Sequence, residues 1–527
     1  MNTLGIRDVA FFALAFVFVY SQVFQFPFTP IYFEGDHLVP VSNAMRMLNG
    51  EMIYRDFFHL TPPGTELFYE TCFSIFGVRI WILNAAIVLL GVAQVWLLWF
   101  FGRRTLRGYL IYVPTVIFLT IGFRQFDIDG SYRLFSVVFV LFAAVALMGG
   151  TTAKRLVVAG ALCGLASFFV QTRGVVGMAG IGAFLMWEHY RAGLDLRSFL
   201  RDVATAGAAF LLVAAATHSY FLWEAGADNY YFSLVKFLYA HYPNDPLAKS
   251  SSIFSDLPDF QSYLQVYSTF SAISRYLRFS APVIFYYALI PLVYIVFWLY
   301  RSRKRVRFEN GVIDRNLVLL NFVGLFLALG VSVPSSGRFN HVAIPGVVIL
   351  VFLLSRIPIR RTALPVLGAG LSLIGFAYIA QRQIVEKFYV DMPGGRAAFL
   401  TETVAERYRR IAQNTSPGDP FFEAHHPSFY FPMHLRNPTP MYLLRDSNYT
   451  PAFQVDATVA ALRTAKPTLI VWQGTWSKTP AERAEGDHLQ PLWDFVRNNY
   501  EFEVEYIDHG EYTLTSERRI QIWRLRQ

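Results

Sequence analysis

From residue 9 to residue 380 the chain alternates long apolar blocks with short polar connectors, and then the pattern stops. The blocks are Val9–Phe26, Ile80–Phe101, Tyr109–Gly122, Leu134–Gly149, Leu156–Val170, Val175–Trp187, Val203–Phe221, Pro282–Leu299, Leu317–Val331, Val342–Leu354 and Leu364–Ala380. A helix needs about 20 residues to cross the hydrocarbon core of a bilayer. The pattern therefore predicts a polytopic α-helical membrane region of about 11 spans over residues 1–380. Blocks shorter than that must extend into their polar flanks or kink. The first block is followed by the bulky Phe24-Gln25-Phe26-Pro27 rather than a small-residue cleavage site, so it reads as a retained anchor.

Three segments break the rhythm, one of them the long connector Trp223–Ala281, which falls in the extracytoplasmic set. Residues 27–79 form a long polar loop, in which Val39–Leu48 places Val41, Met45 and Leu48 on one helical face and Gly50 supplies a stop. This predicts a short helix lying along the membrane surface. From Gln381 the chain takes on the composition of a soluble domain. Pro467–Gln473 reads as a buried strand, preceded by the end of a helix at Val459–Lys466. Phe502–Tyr506, Tyr512–Thr515 and Ile520–Leu525 alternate as strands. Residues 381–527 are thus expected to form a small α/β domain.

Composition agrees with the pattern: only 16% of residues are charged and mean hydropathy is +0.36, against about 25% charged in soluble domains. The net charge of +9 does not point to nucleic acid, because the basic residues sit between apolar blocks. They fall in every second connector: Arg103, Arg104 and Arg107; Lys154 and Arg155; Arg191, Arg197 and Arg201; Arg301, Arg303, Lys304, Arg305 and Arg307; Arg356, Arg360 and Arg361. The positive-inside rule makes these connectors and the N-terminus cytoplasmic. The 27–79 loop and the region from Gln381 are then extracytoplasmic. Cys72 and Cys163 lie in apolar surroundings, which argues against a disulfide or a cysteine metal site.

Candidate chemistry collects in the loops of the extracytoplasmic set. Asp36 follows a glycine just beyond the first block; it either caps the next helix or faces a membrane cavity. Asp127 and Asp129, between Arg124 and Arg133, form salt bridges only, or make a second acidic wall able to take a divalent cation or an acceptor group. Arg173, Arg338 and His341 are cations in short connectors where the charge rule disfavours them. They either snorkel to headgroups or bind an anion, for which arginine offers a bidentate fork. Arg55, Asp56 and His59 are placed to support the first loop. His425-His426 diverge in an extended chain, which weakens a metal reading, and the tyrosines of Asn229–Tyr242 read as an interfacial belt or as rings on which sugars stack. An acid opposite a cluster of arginines fits transfer of a group off a lipid phosphate. The carboxylate would take a proton from the nucleophile, and the cations would receive the charge of the departing phosphate.

Asp36, the helix ending Leu48-Asn49-Gly50, Tyr54-Arg55-Asp56-Phe57, Pro62-Pro63-Gly64, Phe76-Gly77, Arg338-Phe339 and Ile344-Pro345-Gly346 together resemble the bacterial GT-C fold glycosyltransferases. These are the relatives of protein O-mannosyltransferases and aminoarabinose lipid A transferases. The resemblance implies an inverting transferase in the bacterial inner membrane that uses a polyprenyl-phosphate sugar. Its acceptor would be a lipid, a glycan or a protein. Asp36 would be the general base, Asp127 or Asp129 the second acid, and Arg338 with Arg173 the ligands of the donor phosphate. Many relatives have a second acid directly after the first, where this chain has His37. No metal is therefore assigned, and a divalent cation stays open. The rival classes are a transporter or flippase, which would place its charges nearer the midplane on repeated halves, and a non-catalytic assembly component.

Overall fold

In the computed structural model the described residues are 5–123, 128–193, 195–244, 257–303, 311–357, 363–424, 426–445, 449–473, 488–509 and 517–526. Asp127, Arg124, His425, the basic residues at 304–307 and 360–361, and the strand expected over 512–515 lie outside them. The protein is mostly helical, and each apolar block lies on helix. Among the described residues, Ile6–Val23, Ile80–Thr105, Leu196–Ala225, Thr269–Ser302 and Gly311–Leu329 are each long and apolar enough to span a bilayer. Ser336–Val342 and Ile344–Ser355 form an apolar pair of helices bent by 74°, the shape of a broken span or a re-entrant loop. The bend falls just before Pro345, where a proline in the first turn favours starting a new helix. The other blocks fold as Val113–Phe123, Tyr132–Leu147, Ala153–Phe169, Gln171–Arg191 and Ala363–Ile384. This is an integral membrane protein.

The bundle closes through small residues. Tyr132–Leu147, Ala153–Phe169, Gln171–Arg191 and Leu196–Ala225 pack against one another. A Cβ on Gly160 would collide with the Ala206 carbonyl of the neighbouring helix. Such close approach is how membrane helices associate where lipid offers no hydrophobic gain. At one end, Arg191 and Arg301 both bond the buried Asp314, at 2.9 and 3.0 Å. Two of the basic connectors therefore meet there.

The first helix ends at Val23, before the expected Phe26, because the chain turns extended at Phe24 and pairs Phe24–Gln25 with Thr29–Pro30. The last of the apolar helices runs on to Ile384. Beyond it come a hairpin, Phe388–Val390 with Ala397–Phe399, and a four-stranded sheet. The sheet order is Phe422–Glu423, Leu469–Gln473, Glu517–Leu525, Tyr500–His509; the first pair is parallel and the rest antiparallel.

This C-terminal region sits directly on the 27–79 loop. Tyr32 donates its amide to the Ala398 carbonyl (2.8 Å) and its hydroxyl to Ser428 (2.9 Å). Arg46 donates to the Thr439 carbonyl (3.0 Å), and the Phe58 amide donates to Pro440 (2.8 Å). The helix Leu38–Leu48 forms as expected and Gly50 follows it at φ +90°. Leu38 through Arg46 are buried on every side because the C-terminal region covers the face that was to meet water.

Candidate active site

The first loop, the Tyr132–Leu147 helix and the C-terminal region converge on Asp36. Its carboxylate does not cap the next helix; His37 holds that position and makes no side-chain cap. Instead Asp36 Oδ2 lies 2.6 Å from Arg133 Nη2, and Oδ1 lies 3.8 Å from His426 Nε2. Half of the Asp36 side chain, 51%, remains accessible beside these partners. The Arg133 guanidinium, against the opposing effect of burial and with help from His426, holds its carboxyl well below the usual carboxylate range.

Asp129 forms the neighbouring wall. Ser131 donates to it through both amide (2.9 Å) and hydroxyl (2.7 Å). His37 Nδ1 stands 3.6 Å away and Arg133 Nη1 3.9 Å. Burial pushes the Asp129 carboxyl up, but His37, Arg133 and the more distant His341 outweigh it and leave the carboxyl lowered.

Arg133 also opens onto a cavity of about 140 Å³ that it lines together with Arg173 and Arg338. Tyr132, Thr61, Gln171 and Tyr242 supply further polar wall. Arg173 is buried and donates to the Leu327 carbonyl at 3.0 Å. Arg338 donates to the Val333 carbonyl at 3.2 Å and sits in a first turn capped by Ser335. Arg173 is close enough to both other arginines for their charges to repel. Three guanidiniums crowding one small cavity concentrate positive charge and N–H donors there.

The remaining expected residues are distributed differently. His341 is buried beside this centre but does not line the cavity. His59 is buried 2.8 Å from Glu66 and also meets Asn43 and Thr61, so it braces the wall from behind. Arg55 and Asp56 pair with each other at 2.9 Å, largely exposed, and Asp56 accepts the Met52 amide at 2.7 Å. They hold the turn around Tyr54 and do not reach the cavity. In the sequence Arg133 stands out only as a flank of the acids, and Tyr242 as part of an interfacial belt or a ring on which a sugar could stack. The approach of His426 to Asp36 left no local signal at all. Among the described residues, no group of three or more His, Cys, Asp or Glu side chains is arranged to hold a metal ion.

Comparison with known proteins bears on this arrangement. Residues 61–221 match the family described as dolichyl-phosphate-mannose-protein mannosyltransferase. ArnT from Cupriavidus metallidurans bound to undecaprenyl phosphate is similar over 98% of this chain and 97% of its own, with a TM-score of 0.56 and 13% identity. The same protein in its apo state gives a TM-score of 0.57 over the same shares at 13% identity. The apo oligosaccharyltransferase of Archaeoglobus fulgidus is similar over 88% of this chain and 69% of its own, with a TM-score of 0.49 and 10% identity. No curated protein matches by sequence. The fold along the whole chain is thus that of ArnT, and the family match falls on residues 61–221 of it.

Proposed function

We propose that this protein transfers a sugar from a polyprenyl-phosphate carrier to an acceptor hydroxyl or amine on the extracytoplasmic face of a bacterial inner membrane. One observation carries the reading: the Asp36 carboxylate and a cavity walled by three arginines share the side chain of Arg133. Asp36 takes the proton of the acceptor, whose oxygen or nitrogen attacks the anomeric carbon. The bond from that carbon to the phosphate oxygen breaks, and its electron pair leaves on the prenyl phosphate. Arg133, Arg173 and Arg338 stabilise the charge that gathers there. A single displacement inverts the anomeric centre. That the fold neighbour ArnT binds undecaprenyl phosphate supports a prenyl carrier here. The alternation of basic connectors, two of which meet at Asp314, supports a cytoplasmic N-terminus and an extracytoplasmic site. We infer that residues 381–527 form an extracytoplasmic domain that roofs the first loop.

The test is reconstitution of the purified protein with a polyprenyl-phosphate sugar and a panel of acceptors, scoring free prenyl phosphate. Release by the wild type and its loss in Asp36→Asn, with expression and membrane insertion intact, is the expected result. A folded Asn variant that still releases prenyl phosphate overturns the assignment of Asp36. Movement of the lipid or solute without release makes the protein a transporter.

A further inference from the structure

Three arginines line the cavity, and they are held differently. Arg173 and Arg338 donate to neutral backbone carbonyls, Leu327 and Val333. Arg133 alone among them is paired with carboxylates, 2.6 Å from Asp36 and 3.9 Å from Asp129. Among the described residues it is also the one side chain that both lines the cavity and is ion-paired with the proposed base.

Building on the glycosyl-transfer reading, we propose that Arg133 is a donor-responsive positioning residue. In the resting protein it occupies Asp36, and an entering donor phosphate competes for the same guanidinium and frees the carboxylate to act as base. The charges fit this exchange. Two carboxylates and three guanidiniums leave one positive charge at the centre, which a phosphodiester monoanion cancels. A guanidinium has five N–H donors in a planar fork, so Arg133 can turn part of that fork toward phosphate without leaving its site. Asp36 would then lose its strongest partner only once the sugar is in place, and a base freed at that moment is directed at the acceptor. Arg133 acts through Asp36 and the phosphate group and is not itself the base.

Competition for one residue has a signature that a merely structural ion pair lacks. Removing the competitor must tighten phosphate binding, and only while Arg133 is present. The probe is a short-chain polyprenyl phosphate without sugar, titrated into purified full-length protein in detergent. Asp36→Asn is expected to bind it at least threefold more tightly than the wild type. Arg133→Gln is expected to bind it about tenfold more weakly, as for loss of one charge-assisted pair worth about 1.4 kcal/mol. In the Arg133→Gln background the gain from Asp36→Asn should vanish. Arg133→Met supplies a second uncharged background if the glutamine variant does not fold. Equal or weaker binding by a folded Asp36→Asn overturns the proposal. So does a gain that persists without Arg133, because it then reflects general electrostatics. The readout does not require turnover: a wild type that shows this binding pattern and transfers no sugar would sink the proposed function instead.

Discussion

Glu34 and Arg407, 373 residues apart in the chain, meet at 2.6 Å in the interior, where Arg407 is almost fully buried. The Tyr408 hydroxyl donates to the same Glu34 oxygen at 2.9 Å. This contact clamps the C-terminal region onto the first loop two residues before Asp36. Removing one partner of a buried pair leaves the other charge uncompensated, which costs about 3–5 kcal/mol. Glu34→Ala is therefore expected to destabilise the folded protein by that order, and Tyr408→Phe by about 1 kcal/mol. Thermal or denaturant unfolding in detergent measures both. Equal, negligible effects of the two would show that the clamp does not hold the region in place.

A second prediction concerns the bundle below the site. Gly160 abuts the Ala206 carbonyl so closely that a Cβ collides with backbone, which cannot swing aside. Gly160→Val must push the Leu196–Ala225 helix away and is expected to lower stability by about 1–3 kcal/mol, as overpacking does. Gly207, one residue along the partner helix, has open space around its missing Cβ, so Gly207→Ala is the control. It should leave the melting temperature unchanged or slightly raised. A Gly160→Val protein as stable as the control would refute the close packing.

The hydrophobic pattern carried most of the membrane architecture, because burial in lipid demands long apolar runs and every such run became helix. The Leu38–Leu48 helix was legible from spacing and its glycine stop, yet its surroundings were not. Spacing reports one apolar face; the cover over the other face comes from residues near 439, and no local rule links them. The site divides in the same way. Arg173 and Arg338 stood out as cations in short connectors, where the charge rule disfavours them, and Asp36 as the acid just beyond the first apolar block. Arg133 opens a helix, where an arginine looks ordinary, and His426 reaches Asp36 from a distant segment. Those two partners are products of tertiary folding alone. Arg55 and Asp56, expected to support the first loop, pair with each other at the surface and hold the turn there.

Arg338 supplies the third prediction. Its backbone is fixed by the Ser335 cap and its guanidinium by Val333, so the side chain is already aimed at the cavity. Under the proposed chemistry it meets the donor phosphate both before and during transfer. Arg338→Ala is expected to raise the KM for the lipid-phosphate sugar about tenfold or more, the loss of a charge-assisted pair worth about 1.5–3 kcal/mol. The KM for acceptor should change little. Arg338→Lys should recover only part of the loss, since an ammonium cannot fork onto phosphate. A change confined to acceptor KM would move Arg338 to the other substrate.

The last prediction follows from the resting state of Asp36. Arg133 is the chief cause of its lowered carboxyl, with burial opposing and His426 assisting. A carboxyl depressed in the folded protein stays ionised, and contributes stability, at every pH above the unfolded value of about 3.9. That contribution is lost only as pH falls through the lower folded value. The acid limb of kcat/KM for donor, insofar as Asp36 sets it, should therefore lie below about pH 4 in the wild type. Removing Arg133 takes away the main stabiliser of the charged form and leaves burial, which favours the neutral acid. The acid limb of Arg133→Gln is thus expected to move upward. His426 from the C-terminal region, Tyr442 and Tyr132 also face this carboxylate, while His37 and His341 act on Asp129 beside it. Repeating the profile in His426→Asn separates the histidine from the carboxyl: its limb should also rise, but by less. A limb that stays fixed, or falls, when Arg133 is removed would show that Asp36 is not the group being titrated.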